Sequence, residues 1–125
     1  MRLIYKASLL ILVIFNLVIV GCSIKPAKYG EPIVNRQATL VKDILANPKA
    51  YEGKVITIEG KIANECSTGC WFFVKVGQGN LSIYVDTGKS GFAIPQKVGK
   101  EIVVEGAVKI KGTGPMIQAK GVEIR

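Results

Sequence analysis

From Val55 onward, apolar and polar residues alternate with a period of two, the pattern of strands buried on one face. Ile56, Ile58 and Ile62 share one side of the first run, with Thr57, Glu59 and Lys61 on the other. In the second, Phe72, Val74 and Val76 oppose Trp71, Phe73 and Lys75; in the third, Leu81, Ile83 and Val85 oppose Ser82, Tyr84 and Asp86. Ile102, Val104, Val108 and Ile110 mark a fourth strand. Met116 to Ile124 make a fifth, whose alternation slips by one near Gly121, as a β-bulge would make it. Gly77–Asn80 and Lys111–Pro115 read as turns. The stretch from Thr87 to Gly99, with Gly88, Gly91, Pro95 and Gly99, reads as a longer loop.

Ahead of the strands the pattern changes. Leu40, Val41, Ile44 and Leu45 make one apolar helical face over Thr39–Leu45, and Asn47-Pro48 ends it. So short a helix needs a sheet to pack on, and it is expected to cap one end of a barrel. Ser23 to Arg36 carry Pro26, Gly30 and Pro32 with no apolar period and read as a flexible tether. At the start, Arg2 and Lys6 precede an apolar run from Ala7 to Val20, shorter than the ~20 residues of a spanning helix. It ends in Ile19-Val20-Gly21-Cys22, which resembles the lipobox of bacterial lipoproteins, with Ile where Leu is usual. The resemblance implies cleavage before Cys22 and diacylglycerol on its sulfur. The expected division is a signal peptide over 1–21, a lipid-anchored tether over 22–37 and one folded domain over 38–125.

Gly53 to Ile62 align without gaps to Gly99 to Val108, each a turn followed by a strand with a glycine midway, Gly60 and Gly106. A glycine inside a strand marks a bend or a bulge, and two sharp bends suit a small closed barrel. Five strands with a longer interruption between the third and fourth predict an all-β fold, a small five-stranded OB-like Greek-key barrel with its helix before the first strand. ITIEGKI, ECSTGCWFF, GFAIPQKVGKEIVVEG and the closing KGVEI resemble exported bacterial OB-type domains of the tRNA-anticodon-binding-like class, including an uncharacterised type with a CxxxCW hairpin. The nucleic-acid association of that class follows from the fold, and fold alone does not give function.

Composition narrows the chemistry. The sequence holds no His, which removes Ser-His and Cys-His catalysis and histidine metal ligands together. After removal of residues 1–21 the net charge is +6 (15 basic, 9 acidic), a balance that favours anionic partners. With Cys22 committed to lipid, Cys66 and Cys70 are an even pair in a compartment where disulfides persist. They flank a three-residue hairpin loop whose Gly69 is placed for the left-handed conformation, setting them opposite each other near the ~5.5 Å Cα spacing a disulfide accepts. A structural clip, a redox-active or metal-binding pair and free thiols are the open alternatives. Zinc would need two further ligands, from Glu65, Asp86 or a second molecule. No metal and no cofactor are expected.

On the outward face of the first three strands, Lys61, Trp71, Phe73, Lys75 and Tyr84 interleave aromatics with cations, as stacking on a polymer requires. The contrary reading is that a loop, the helix or a partner covers the aromatics. Glu59 and Glu105 read as solvated strand residues. The sequence therefore predicts a non-catalytic binding or assembly module, lipid-anchored on the outer side of a cell membrane or outer membrane. Its expected partners are the membrane and an envelope protein or anionic polymer, glycan or protein ahead of nucleic acid. The alternative is a thiol-redox or metal-handling protein working through Cys66 and Cys70.

Overall fold

The alternating runs become strands whose apolar sides share one interior. The computed structural model describes Ile4, Tyr5, residues 25–77 and residues 79–125. The rest of the expected signal peptide and Cys22 lie outside the described residues. The strands are β1 (Ala27–Gly30), β2 (Val55–Glu65), β3 (Trp71–Lys75), β4 (Ser82–Asp86), β5 (Glu101–Lys111) and β6 (Gly114–Ile124). The helices are α1 (Val41–Ala46) and α2 (Pro48–Tyr51), and a 3-10 turn spans Gly88–Ser90.

Around the barrel the order is β5-β2-β3-β4-β6, and β6 pairs back onto β5 to close it. All barrel pairings are antiparallel except β4 with β6, which is parallel. This is the all-β, five-stranded OB-like barrel with its helix ahead of the first barrel strand. Closure hides the strand edges that an open sheet would expose. The core is Ile58, Ile62, Phe72, Val74, Ile83, Val85, Val104, Val108 and Ile117, all essentially inaccessible. Each such side chain contributes roughly 1.5–3 kcal/mol on leaving water. Val41 and Ile44 of α1 join that core, whereas Leu40, expected on the same helical face, is 55% exposed at the N-cap. Asn47 ends α1 as expected, and Pro48 then opens α2 at a position where its missing N–H costs nothing.

The two mid-strand glycines sit where another backbone comes too close for a side chain. A Cβ at Gly60 would lie 2.5 Å from the Lys75 carbonyl oxygen, and one at Gly106 would collide with the Gln118 carbonyl. The register of β5 on β6 shifts between Glu105↔Gly121 and Gly106↔Ala119, leaving Lys120 as the extra residue of the bulge expected near Gly121. The freed Lys120 carbonyl accepts the Glu31 N–H at 2.8 Å. Gly121 has no room for a Cβ because the Glu31 carbonyl passes over it.

That contact belongs to a strap. In the stretch expected to be a flexible tether, Ala27–Gly30 pair antiparallel with Ile124–Gly121 as β1. Beyond β1, Ile33 is buried, Glu105 accepts the N–H groups of Val34 and Asn35 at 3.2 and 2.8 Å, and Thr57 Oγ1 donates to the Asn35 carbonyl at 2.6 Å. Arg36 makes a two-pronged ion pair with Glu123, both contacts 2.7 Å. So residues 27–36 lie along the barrel wall. Glu105 is therefore no solvated strand residue. It is 7% exposed, held under the strap whose backbone donors it satisfies, while Glu59 is exposed as expected.

Candidate functional site

The hairpin joining β2 to β3 carries Cys66 to Trp71. Gly69 takes a φ of +72°, the left-handed conformation expected of it. Its N–H donates to the Cys66 carbonyl at 2.9 Å, and glycine is further required because a Cβ would collide with the Ile94 carbonyl. The tip is pinned from the other side by the loop between β4 and β5. Gly69 O accepts from Ile94 N–H at 3.2 Å and from Thr87 Oγ1 at 2.9 Å. Cys70 O accepts from the N–H groups of Thr87 and Gly88, and Gln96 Nε2 donates to Cys66 O at 2.6 Å. The two most distinctive sequence stretches, CSTGCW and the GFAIP segment, thus hold each other.

Inside this clamp Cys66 and Cys70 are free thiols, both half-buried, with sulfurs 2.9 Å apart. Thr68 Oγ1 lies 3.1 Å from Cys66 Sγ and donates to Cys70 Sγ at 3.4 Å. Hydrogen bonding from Cys70 and then Thr68 holds Cys66 well below the ordinary thiol range, at about 6, against a smaller opposing effect of burial. Glu65, one residue away, turns elsewhere: its Oε1 accepts the Lys97 N–H at 2.6 Å and its Oε2 is buried without a partner among the described residues. Asp86 accepts the Lys89 N–H at 3.0 Å. Among the described residues no three His, Cys, Asp or Glu side chains converge on one point.

Next to the hairpin, the outer face of β3 and β4 holds an aromatic cluster. Phe73 and Tyr84 face each other across the strands, ring centres 5.5 Å apart and edge to face. Trp71 stacks on Tyr84 at 5.9 Å and meets Phe73 edge-on at 6.1 Å. All three rings are half-buried and in contact with one another. Burial, then Asp86 and the two thiols, push the Tyr84 hydroxyl above its ordinary range, so the cysteines and the aromatics share one electrostatic neighbourhood.

Lys61 and Lys75, also expected on this face, are exposed and directly opposite each other across β2 and β3. Like charges so placed repel. Neither makes an ion pair among the described residues, where Arg36–Glu123 is the salt bridge present. The two lysines line a cleft of about 590 Å³ with Glu59, Glu101 and Arg125. Phe73 and Lys75 line a depression of about 240 Å³, and Tyr84 lines one of about 250 Å³ with Lys111 and Met116. The five side chains singled out from sequence therefore form one continuous track, aromatic at one end and, at the other, two lysines in a cleft they share with Glu59 and Glu101. Thr57, on the same alternation, is instead covered by the strap. Sequence reasoning missed Thr68, Arg125 and Lys111, whose roles depend on where turns and the C-terminus fall.

No helix among the described residues is long and apolar enough to cross a membrane. No protein family profile matches the chain, and no curated protein matches it. Among solved structures it is similar to the hypothetical protein ygiW from E. coli, at 17% identity and a TM-score of 0.50, over 71% of this chain and 90% of that one. At that identity the likeness establishes the shared OB-like barrel.

Proposed function

We propose that this chain is a lipid-anchored envelope protein whose OB-like barrel is a non-catalytic binding module, with the Lys61–Lys75–Phe73–Tyr84–Trp71 track as its ligand surface. The observation that carries the reading is the half-exposed aromatic cluster on the outer face of β3 and β4, continuous with two exposed lysines. Small barrels of this kind bind extended polymers on that face. Aromatic planes accept sugar rings or bases, and cations accept their acidic groups. Outside the cytoplasm an anionic glycan or an acidic protein segment is the fitting ligand, ahead of nucleic acid. The Ile19–Cys22 sequence supports the anchor. With β1 starting at Ala27, five residue steps separate it from Cys22, at most ~18 Å of extended chain, which would hold the domain close to the bilayer. Calorimetric titration with a uronic-acid oligosaccharide tests the binding reading. Saturable binding weakened by Lys75→Glu supports it; binding unaffected by Lys61→Glu with Lys75→Glu would remove the track from the ligand surface.

A second reading is supported by the sulfurs 2.9 Å apart with the Thr68 hydroxyl within hydrogen-bond reach of both. In an oxidising envelope Cys66 and Cys70 would close into a disulfide, either as a permanent clip on the hairpin or as one state of a working thiol pair.

A further inference from the structure

The two cysteines are not equivalent. The Cys70 backbone is fixed by the loop after β4: its carbonyl takes N–H groups from Thr87 and Gly88. Cys66 stands at the open side of the loop, beside the exposed Ser67 and Thr68. The Cys70 thiol is directed at Cys66, and Thr68 Oγ1 lies nearer to Cys66 Sγ, at 3.1 Å, than to Cys70 Sγ, at 3.4 Å. With the Cys70 thiol in contact as donor, this arrangement favours a thiolate at Cys66. Trp71, Phe73 and Tyr84 begin at the residue after Cys70, so a chain whose sulfur reached Cys66 would lie across aromatic surface.

We infer that Cys66 and Cys70 form a thiol–disulfide exchange centre for disulfides carried on extended peptide segments, with Cys66 the attacking sulfur, Cys70 the resolving sulfur and Thr68 the residue that positions and stabilises Cys66. The inference deepens the second reading of the site and rests on it. The Cys66 thiolate attacks one sulfur of the partner's disulfide. The Cys66–partner bond forms as the partner's S–S bond breaks, and its other sulfur leaves as a thiolate. That thiolate takes the proton of Cys70. The Cys70 thiolate then attacks Cys66 Sγ, the Cys66–Cys70 bond forms, the mixed bond breaks, and the remaining partner sulfur leaves and takes a proton from water. Two electrons pass from the dithiol to the partner, and the same steps reversed oxidise a partner dithiol. The lowered pKa of Cys66 agrees with its role as attacking group, because the thiolate is the nucleophile.

The test uses the full-length reduced protein in detergent, with peptide-resolved mass spectrometry. Iodoacetamide should modify Cys66 before Cys70, with a pH midpoint near 6 at Cys66. Thr68→Val should raise that midpoint, and a rise of one pH unit slows modification about tenfold at pH values below it. With an aromatic-flanked peptide disulfide, Cys70→Ser should accumulate the mixed disulfide on Cys66, and faster than with glutathione disulfide, which has no aromatic flank. Cys66→Ser should trap little on Cys70. Equal rates for the two disulfides would remove the aromatic track from substrate choice and overturn that part. A pair that cycles in glutathione buffers but traps on Cys70, or is indifferent to Thr68→Val, would overturn the assignment of roles while leaving a redox pair. A pair that stays bridged in reducing glutathione would overturn both this inference and the redox reading.

Discussion

Phe72 and Phe73 are adjacent in β3 and point to opposite sides of the sheet, which makes them a controlled pair. Phe72 is fully buried in the barrel, so Phe72→Ala leaves a core cavity and should cost about 3–5 kcal/mol. Phe73 packs outward against Trp71 and Tyr84, and Phe73→Ala forfeits two edge-to-face contacts worth roughly 0.5–1.5 kcal/mol each. Its expected cost is therefore about 1–3 kcal/mol, below that of its neighbour. Urea unfolding followed by circular dichroism measures both, with unchanged slopes confirming that the denatured state is the same. In thermal melts each kcal/mol should move the midpoint by roughly 4–8 °C for a domain of this size. The ligand effect should run the other way. Phe73→Ala should cost about 1–3 kcal/mol of binding, the usual loss of one stacking ring, at any salt concentration, whereas Lys75→Ala should matter mainly at low salt. Were Phe73→Ala as destabilising as Phe72→Ala, the aromatics would be internal packing and the argument for a binding track would fail.

Other consequences follow from single contacts. Gly69→Ala should unseat the hairpin tip, since it forces a positive φ and a collision with Ile94, and loss of amide-exchange protection at Ile94 reports it. Glu105→Ala should loosen the strap, at about 1.5–3 kcal/mol for hydrogen bonds to a charged acceptor, and expose residues 31–38 to protease while the barrel persists. Glu123 is held below the ordinary carboxylate range chiefly by its hydrogen bonds to Arg36, against burial. Its stabilisation is therefore complete above the ordinary value of about 4.3 and disappears as pH falls through its lower folded value. Amide shifts of Ala27–Gly30 should stay constant from neutral pH to about 5 and move only in acid below about 4; movement between pH 7 and 5 would contradict this. Cys22→Ser should prevent lipid attachment, so that the variant and the original partition differently into detergent; equal partitioning with the same N-terminus would refute the anchor.

Much of the barrel is readable because alternation names both the strand and its inner face. Ile56, Ile58 and Ile62, or Phe72 and Val74, have no other way to be buried together. Gly69, Gly60 and the bulge beside Gly121 are readable because each reflects a local backbone demand. The strap is not. Its β1 is four residues long and mostly exposed, and Ile33 is a lone buried apolar residue in a run without period. What holds it is polar and distant: Glu105 lies 70 residues from Asn35, and Glu123 87 from Arg36. No local pattern separates a glutamate under such a strap from one in solvent. The loop from Phe92 to Gln96 is equally opaque, since its clamp on the cysteine hairpin is made by the Ile94 backbone N–H and by one Gln96 side chain reaching a carbonyl 30 residues away.

Trp71 is the sole tryptophan of the chain and stands between the cysteine hairpin and the aromatic track. Its emission, titrated with a uronic-acid oligosaccharide at low salt, is the direct measurement of the binding surface. The account predicts a saturable change in Trp71 emission that Phe73→Ala abolishes or shifts to higher ligand concentration. Binding detected by calorimetry with no change at Trp71, and unaltered by Phe73→Ala, would contradict it.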